Sequence, residues 1–340
     1  CIRDRPGARW FVGAELNFAE NLLRSRSERP AIVSCGEEGD PEVLSFDALY
    51  REVARIAAWM RAHGVGRGDR VAAFLPNIPE TVVTMLAAAS IGAILSSCSP
   101  DFGNEAVVQR FGQIEPVVFV TAANYRSGGR EFELGERVAA ILGQMPSVRH
   151  TLAVGGLPGA VSWDEIPPVA APIQFEPLPF DHPLYILYSS GTTGRPKCIV
   201  HGAGGTLLQH LKEHVLHTDL RPDDRLFYYT SCGWMMWNWL VSGLAAEAAI
   251  VLYDGAPAYR GWSRLFDLVD RVGITVFGTS AKYLATLEKR RIKPRETHDL
   301  ASLRTILSTG SPLSAESFEY VYRDVKADVC LSSISGGTDI

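Results

Sequence analysis

The chain has 340 residues, of which 46% are hydrophobic and 21% are charged, and its formal net charge is −5. These values are typical of a globular protein, and they exclude a disordered, collagen-like or coiled-coil chain. The negative net charge also argues against a nucleic-acid-binding surface. At roughly 100–200 residues per domain, the length predicts two or three packed units whose core needs no disulfide or metal to hold it.

The cysteine spacing and the apolar segments predict a cytoplasmic protein without a membrane span. The six cysteines are scattered, and no pair has the spacing of a zinc ribbon, so we expect reduced thiols. The longest apolar stretch, residues 82–95, is shorter than the ~20 residues that a membrane-spanning helix needs. The polar N-terminus does not resemble a signal peptide.

Apolar periodicity predicts strands that alternate with helices along the chain. The first long helix should run over residues 45–64, because Ser45 is a suitable N-cap and Gly64 a suitable stop. Further helices are predicted at residues 79–94, 205–216, 262–272 and 282–290. Strands are predicted at residues 69–76, near 96, and at 113–121, 184–202 (two strands), 225–229, 250–253, 275–278 and 305–309. The Pro-rich residues 155–183 indicate an extended connection. This alternation is typical of an α/β fold with parallel strands.

A loop rich in hydroxyl groups and glycine separates the two strands of residues 184–202. It reads Ser189-Ser190-Gly191-Thr192-Thr193-Gly194-Arg195-Pro196-Lys197. Its backbone N–H groups and hydroxyls can donate to phosphate oxygens, and Lys197 adds a compact positive charge. A Walker A loop has lysine directly after its second glycine and a helix next, so a P-loop kinase or GTPase is disfavoured. A surface turn is the alternative for the loop taken alone.

The string SSGTTGRPK resembles the phosphate-binding signature of the adenylate-forming superfamily, which includes acyl-CoA synthetases, luciferases and nonribosomal adenylation domains. Other segments follow in that family's order: residues 67–71 with Pro76-Asn77 and Ala87-Ala88, residues 309–313 (TGSPL) and residues 336–339 (GGTD). Residues 10–17 with Glu20-Asn21 resemble the acetate-activating branch, and residues 230–239 and 333–339 resemble enzymes that activate acetoacetate. The resemblance covers nearly the whole chain.

This resemblance implies an ATP-dependent acid–thiol ligase. A carboxylate would attack the α-phosphorus of ATP, pyrophosphate would leave, and coenzyme A would then displace AMP from the acyl-adenylate. By position in the motifs, the β- and γ-phosphates would be held by Ser189, Ser190, Gly191, Thr192, Thr193, Gly194 and Lys197. Gly310, Ser311 and Pro312 would contact the adenine, and Gly336, Gly337 and Thr338 would complete the nucleotide site. The catalytic residues would be Lys197, Thr338 and Asp339.

Asp339 stands where the family usually has the glutamate that helps to hold Mg²⁺. Aspartate is also a hard oxygen ligand, but it is one methylene shorter. We therefore expect a Mg²⁺ site at Asp339, with the metal nearer the backbone or held through water.

The acyl pocket should be larger than that of the acetate-activating relatives. Those enzymes carry a tryptophan that closes the pocket around two carbons, and this chain has Gly336 at that position. Trp234, Met235, Met236 and Trp237 would line another wall, although plain core packing also explains this apolar run. A keto acid needs a hydrogen-bond donor there, and Trp237 and Asn238 are candidates. The expected substrate is acetoacetate, with acetate, propionate and butyrate as alternatives.

A second motif has a different chemistry. His210-Leu-Lys-Glu213-His214, with His217, matches the H-x-x-E-H pattern of zinc peptidases. The favoured interpretation is an amphipathic helix whose apolar side carries Leu207, Leu208, Leu211 and Val215. A further alternative to a ligase is a module that binds ATP without turnover.

The resemblance also implies the domain organisation. We expect the large N-terminal domain of the superfamily, with mixed sheets flanked by helices and the C-terminal domain absent. Residues 70–215 would form one α/β subdomain with the phosphate loop, and residues 1–69 and 216–340 a second, discontinuous one. Since the chain starts at Cys1 and stops one residue after Asp339, we expect a fragment that adenylates poorly and makes no thioester. Oligomeric state is not readable from the sequence.

Overall fold

The structure is a computed structural model that describes residues 10–189 and 194–338. These residues form two seven-stranded sheets, two small two-stranded sheets and helices packed around them. The expected α/β fold with mixed sheets flanked by helices is confirmed.

The first sheet is parallel except at one edge. From edge to edge it contains β10 (Val161–Ser162), β9 (His150–Val154), β6 (Val118–Ala122), β4 (Arg70–Phe74), β5 (Ile94–Cys98), β12 (Pro183–Ser189) and β13 (Lys197–Gly202). The last pair is antiparallel and places Ser189 opposite Lys197. A hairpin of β7 (Asn124–Ser127) and β8 (Arg130–Glu133) follows β6, and β1 (Glu15–Leu16) pairs with β11 (Leu178–Pro179).

The second sheet is also parallel except at one edge, where β2 and β3 are antiparallel. From edge to edge it contains β18 (Cys330–Ser333), β17 (Thr305–Thr309), β16 (Val276–Ser280), β14 (Arg225–Tyr228), β15 (Ala249–Asp254), β2 (Pro30–Gly36) and β3 (Glu42–Ser45). Alternate residues of its strands face opposite sides. Leu226 packs into the core shared with the first sheet, and the next residue, Phe227, packs into a second core on the opposite side.

The helices connect the strands, as parallel pairing requires. They are α1 (Phe18–Leu22), α2 (Phe46–Ala62), α3 (Pro79–Ser90), α4 (Asn104–Phe111), α5 (Gly135–Leu142), α6 (Ala203–Leu211), α7 (Met235–Ser242), α8 (Arg264–Val272), α9 (Ala281–Lys289), α10 (Pro294–Thr297) and α11 (Ala315–Tyr320). A π-helical turn, Lys212–His217, extends α6. None of these described helices combines the length and apolar character that crossing a bilayer requires.

Most predicted elements are confirmed, with shifted ends. Ser45 caps α2, because its side chain accepts the N–H of Ala48. The predicted helix over residues 79–94 ends earlier, at Ser90, since Gly92 with φ +75° turns the chain before β5. The strand predicted at residues 113–121 begins only at Val118. The strands that were not predicted are β1, β2, β3, β7, β8, β9, β10, β11 and β18.

The helices cross the predicted boundary between the two subdomains. Both α1 and α2 precede residue 70, yet both pack against α3 of the first sheet. The division at residues 69 and 215 therefore stays a proposal, although the strands between these positions all belong to the first sheet or its hairpin, apart from β11.

Candidate active site

A cleft lies where the carboxyl ends of the parallel strands of both sheets meet, which is the usual ligand site of open α/β sheets. The first cavity in this cleft has a volume of about 590 Å³. Asn77 and Asp101 line it after β4 and β5 of the first sheet, and Asp254 and Thr309 line it at the ends of β15 and β17. The hairpin β7–β8 contributes Arg126 at one side of the same cavity.

A second cavity of about 710 Å³ lies beside the first, between α6, α7 and the ends of β17 and β18. The residues that line both cavities are Met235, Met236, Thr309, Gly336, Gly337 and Thr338. Gly336 is therefore at the junction. A Cβ atom built on Gly336 would have no heavy atom of the described residues within 4 Å, so the described part of the junction leaves room for a side chain to start there.

The predicted phosphate loop falls between the antiparallel strands β12 and β13. The structure places its two ends, Ser189 and Lys197, opposite each other, and Lys197 is exposed. Gly194 has φ +136°, a conformation that favours glycine. Ser190, Gly191, Thr192 and Thr193 lie outside the described residues. Neither Ser189 nor Lys197 lines the two cavities as described.

Thr338 is held by the strand that follows the phosphate loop. The Nε2 atom of His201, on β13, lies 2.7 Å from the Thr338 carbonyl oxygen, so this nitrogen donates. The His201 ring stacks on Tyr185, and burial lowers the pKa of His201. Gly310 lines the first cavity, whereas Ser311 and Pro312 are exposed and line neither. Asp339 lies outside the described residues.

In the run of residues 234–237, some side chains line the first cavity and one packs into the hydrophobic core. Trp234 is 63% exposed and lines the first cavity. Trp237 departs from the expectation: it is fully buried, lines neither cavity, and donates its indole N–H to Asn77. Asn238 is also buried and lines neither cavity, so neither of these two candidate donors faces the two cavities.

Two acidic residues at this end of the second sheet, Asp254 and Glu37, were not predicted, and Asp254 lines the first cavity. The pKa of Asp254 is raised to about 7, chiefly by burial and with a smaller contribution from the charges of Asp101 and Glu37, while the backbone N–H of Asn77 opposes the rise. Glu37 is buried, and its carboxylate accepts the backbone N–H groups of Gly128, Gly129 and Ala256 at 2.6–2.7 Å. The available sequence signal was weak: each acid follows an apolar strand end.

The histidine-rich motif of α6 does not form a metal site. Among the described residues, no group of three His, Cys, Asp or Glu side chains has the geometry to hold a metal ion. His210 bonds Ser242, and His214 bonds the Trp239 carbonyl. The predicted apolar side is wrong in part: Leu208 and Val215 are exposed, while His210 and His214 are buried.

The comparison with known proteins fits this geometry. A model of the AMP-binding enzyme family matches residues 18–332, and the chain belongs to this family. The chain is 50% identical to the acetoacetyl-coenzyme A synthetase of Rhizobium meliloti, over 98% of this chain and 53% of that protein. The solved structure of acetoacetyl-CoA synthetase from Streptomyces lividans superimposes with a TM-score of 0.95 at 44% identity, over 98% of this chain and 54% of that one.

A more distant relative is named for a different acyl group, malonamoyl instead of acetoacetyl. The malonamoyl-CoA synthetase of Penicillium aethiopicum is 41% identical over 98% of this chain and 52% of that protein. The chain thus spans about half the length of the relatives it matches. The resemblance to acyl-CoA synthetases predicted from the motifs is confirmed.

Proposed function

We propose that the native gene product containing this chain is an acetoacetate–CoA ligase that forms AMP. Acetoacetate, ATP and coenzyme A would be its substrates, and acetoacetyl-CoA, AMP and pyrophosphate its products. The similarity to acetoacetyl-CoA synthetases over nearly the whole chain supports this proposal. Compounds of this kind are small and polar, and we expect the protein to act in the cytoplasm.

The nucleotide would bind along the junction of the two cavities. We propose that the loop between Ser189 and Lys197 holds the β- and γ-phosphates and that Thr338 contacts the α-phosphate. Gly310, Gly336 and Gly337 would approach the nucleotide closely, with Ser311 and Pro312 beside its adenine. The reaction needs mainly positioning and charge neutralisation, since the carboxylate attacks the α-phosphorus while pyrophosphate leaves. The thiol of coenzyme A then attacks the acyl carbonyl, and AMP leaves.

The open junction at Gly336 is the observation that carries the choice of acid. Gly336 lines both cavities, and among the described residues no heavy atom lies within 4 Å of a Cβ atom built on it. A four-carbon acid whose carboxylate lies near Thr338 can therefore extend past Gly336 into that cavity. Both acyl names among the relatives, acetoacetyl and malonamoyl, denote acids with a carbonyl group on C3.

Mg²⁺ would enter with the phosphates of ATP. The described residues provide no cluster of three ligating side chains, which fits a metal that binds chiefly to phosphate oxygens and water. Asp339 is the proposed protein ligand. The Mg²⁺ ion would help to neutralise the charge of the phosphates, while this chain's own residues orient the acid.

The test is acetoacetate-dependent exchange of labelled pyrophosphate into ATP by the native gene product. Exchange requires a reversible adenylation step, so a module that only binds ATP gives none. Acetate, propionate and butyrate are compared at equal concentrations. We expect acetoacetate to have the highest kcat/KM; a preference for acetate would contradict the argument from Gly336.

A further inference from the structure

The second cavity has a mainly apolar wall, but α6 places polar side chains on it. Thr206 and His210 are one helical turn apart, both are buried, and both line this cavity. Two other polar side chains of the wall, Gln209 and Glu213, bond each other. His201 bonds Thr338. Several side chains of this wall contain nitrogen. Among those that the structure describes, His210 is the only buried one that has a nitrogen, Nε2, without a hydrogen-bond partner.

His210 is uncharged at neutral pH. Its pKa is lowered to about 3, chiefly by burial and to a smaller extent by the neighbouring His214 and His201. A neutral imidazole carries one hydrogen on its two nitrogens. The partner of Nδ1 therefore decides whether Nε2 offers the cavity a donor or a lone pair.

Ser242 controls this choice. Its Oγ lies 2.9 Å from His210 Nδ1 and 2.6 Å from the Trp239 carbonyl oxygen. His214 Nε2 lies 2.9 Å from the same carbonyl and 3.0 Å from Ser242 Oγ, and it donates to the carbonyl, because a carbonyl only accepts. The Trp239 carbonyl thus keeps a partner when the Ser242 hydrogen turns to His210 Nδ1. No heavy atom needs to move for His210 to carry its hydrogen on Nε2.

We propose that His210 determines the specificity of the acid site by donating its Nε2 hydrogen to a carbonyl oxygen on C3 of the substrate. The site would therefore take short 3-oxo acids and disfavour saturated acids of equal length. This inference rests on the proposed function. His201, which bonds Thr338, and His210 line the same cavity, so an acid whose carboxylate lies near Thr338 would direct C3 toward α6.

The energetic basis is the cost of an unpaired polar group. A buried donor that binds a saturated chain loses its water and gains no acceptor. A site built around such a donor discriminates more strongly than a pocket that selects by size alone. We expect wild type to favour acetoacetate over butyrate by about 100-fold or more in kcat/KM.

Two substitutions separate the two nitrogens of His210. Asparagine places an amide near the Nδ1 position and keeps the contact with Ser242, but it has no group at Nε2. Glutamine places an amide near the Nε2 position. We expect His210→Asn to lower the ratio of acetoacetate to butyrate kcat/KM by about 10- to 100-fold, and His210→Gln to retain more of it. Pyrophosphate exchange by the native gene product supplies both values.

The matched control is His217→Asn, because His217 lines the same cavity but is exposed. It should leave the ratio unchanged. The role of His210 would be overturned if the ratio of acetoacetate to butyrate kcat/KM stayed unchanged in His210→Asn, or if Thr206→Val lowered this ratio instead. Neither outcome would contradict the ligase function. Absence of exchange with every acid in the wild type would contradict the proposed function itself.

A measurement on the wild type keeps the proposal testable when a variant does not fold. Acetoacetate labelled with ¹³C at C3 is bound together with a non-hydrolysable ATP analogue, and its ketone band is recorded by infrared difference spectroscopy. A hydrogen bond from His210 shifts the band to lower frequency than in an aprotic solvent, and the shift should disappear in His210→Asn. A band at the aprotic position in the wild type would refute the proposal.

Discussion

The indole N–H of Trp237 donates to the side-chain oxygen of Asn77 over 2.9 Å, and this hydrogen bond joins the two sheets. Asn77 follows β4 of the first sheet, whereas Trp237 belongs to α7, which follows β14 of the second. The Asn77 amide donates in turn to the Tyr253 carbonyl at the end of β15. The side chains of Asn77 and Trp237 are both buried. Asn77 therefore links β4, α7 and β15 beneath the first cavity.

We expect Trp237→Phe to lower the free energy of unfolding by about 1–3 kcal/mol, because it leaves the buried Asn77 oxygen without its donor. Urea unfolding followed by circular dichroism measures the change. Trp234→Phe is the matched control: this residue is 63% exposed and should change stability by less than about 0.5 kcal/mol. Equal effects of the two substitutions would show that the hydrogen bond to Asn77 contributes nothing of its own.

The position of Trp237 could not be predicted from the sequence. The apolar run 234–237 indicated a pocket wall, but a helix presents successive residues on different sides. Trp234, Met235 and Met236 line the cleft, while Trp237 points into the core. Only the direction of α7 relative to β4 decides this, and nothing in the local pattern encodes that direction.

The fold was easier to predict from the sequence than the geometry of the site. Long buried strands and capped helices such as α2 follow from local periodicity and from Ser45. The edge strands β3 and β18 carry short, mixed patterns, so their pairing depends on the rest of the sheet. The burial of His210 and His214 depends on the packing of α6 against α7, which a helical wheel with two possible faces does not resolve.

Substitution of Gly336 by tryptophan should close the junction between the two cavities. No described heavy atom lies within 4 Å of a Cβ atom at Gly336, so a side chain can start there, and we expect its ring to block the path of a four-carbon acid. We expect kcat/KM for acetoacetate to fall by about 100-fold, with acetate affected least. Gly66→Trp, at an equally open position far from the cleft, is the control. Undiminished use of acetoacetate by Gly336→Trp would contradict the assigned path.

Glu37 fastens the hairpin β7–β8 to the second sheet. Its carboxylate accepts the N–H groups of Gly128 and Gly129 in the hairpin turn and that of Ala256. Glu37→Gln keeps the shape but replaces one acceptor oxygen by a donor, which would face a backbone N–H. We expect amide hydrogen exchange of Gly128 and Gly129 to become about 10- to 100-fold faster.

The control for this exchange experiment is Glu38→Gln, because Glu38 is the next residue and is exposed. Its carboxylate bonds the side chains of Tyr259 and Arg260 rather than the hairpin turn. Protection of Gly128 and Gly129 should therefore remain in Glu38→Gln. Loss of protection in both variants would indicate a general loosening of this edge and would remove the special role of Glu37.

Asp254 should make the stability of the protein depend on pH in the acidic range. Its pKa is raised to about 7 in the folded chain, chiefly by burial, against an ordinary value of 3.8. Between these two values the folded state holds a proton that the unfolded state has released. The free energy of unfolding therefore decreases as the pH rises from about 4 to about 7, and the loss is complete above pH 7.

We expect Asp254→Asn to remove this slope and to stabilise the protein above pH 7 by up to about 4 kcal/mol, because the amide does not ionise. The Asn77 backbone N–H keeps an acceptor in this variant. Urea unfolding at several pH values between 4 and 8 measures the difference from wild type. Asp101→Asn, which removes only a neighbouring charge, should leave most of the slope. Parallel pH profiles for wild type and Asp254→Asn would show that Asp254 ionises normally in the folded protein.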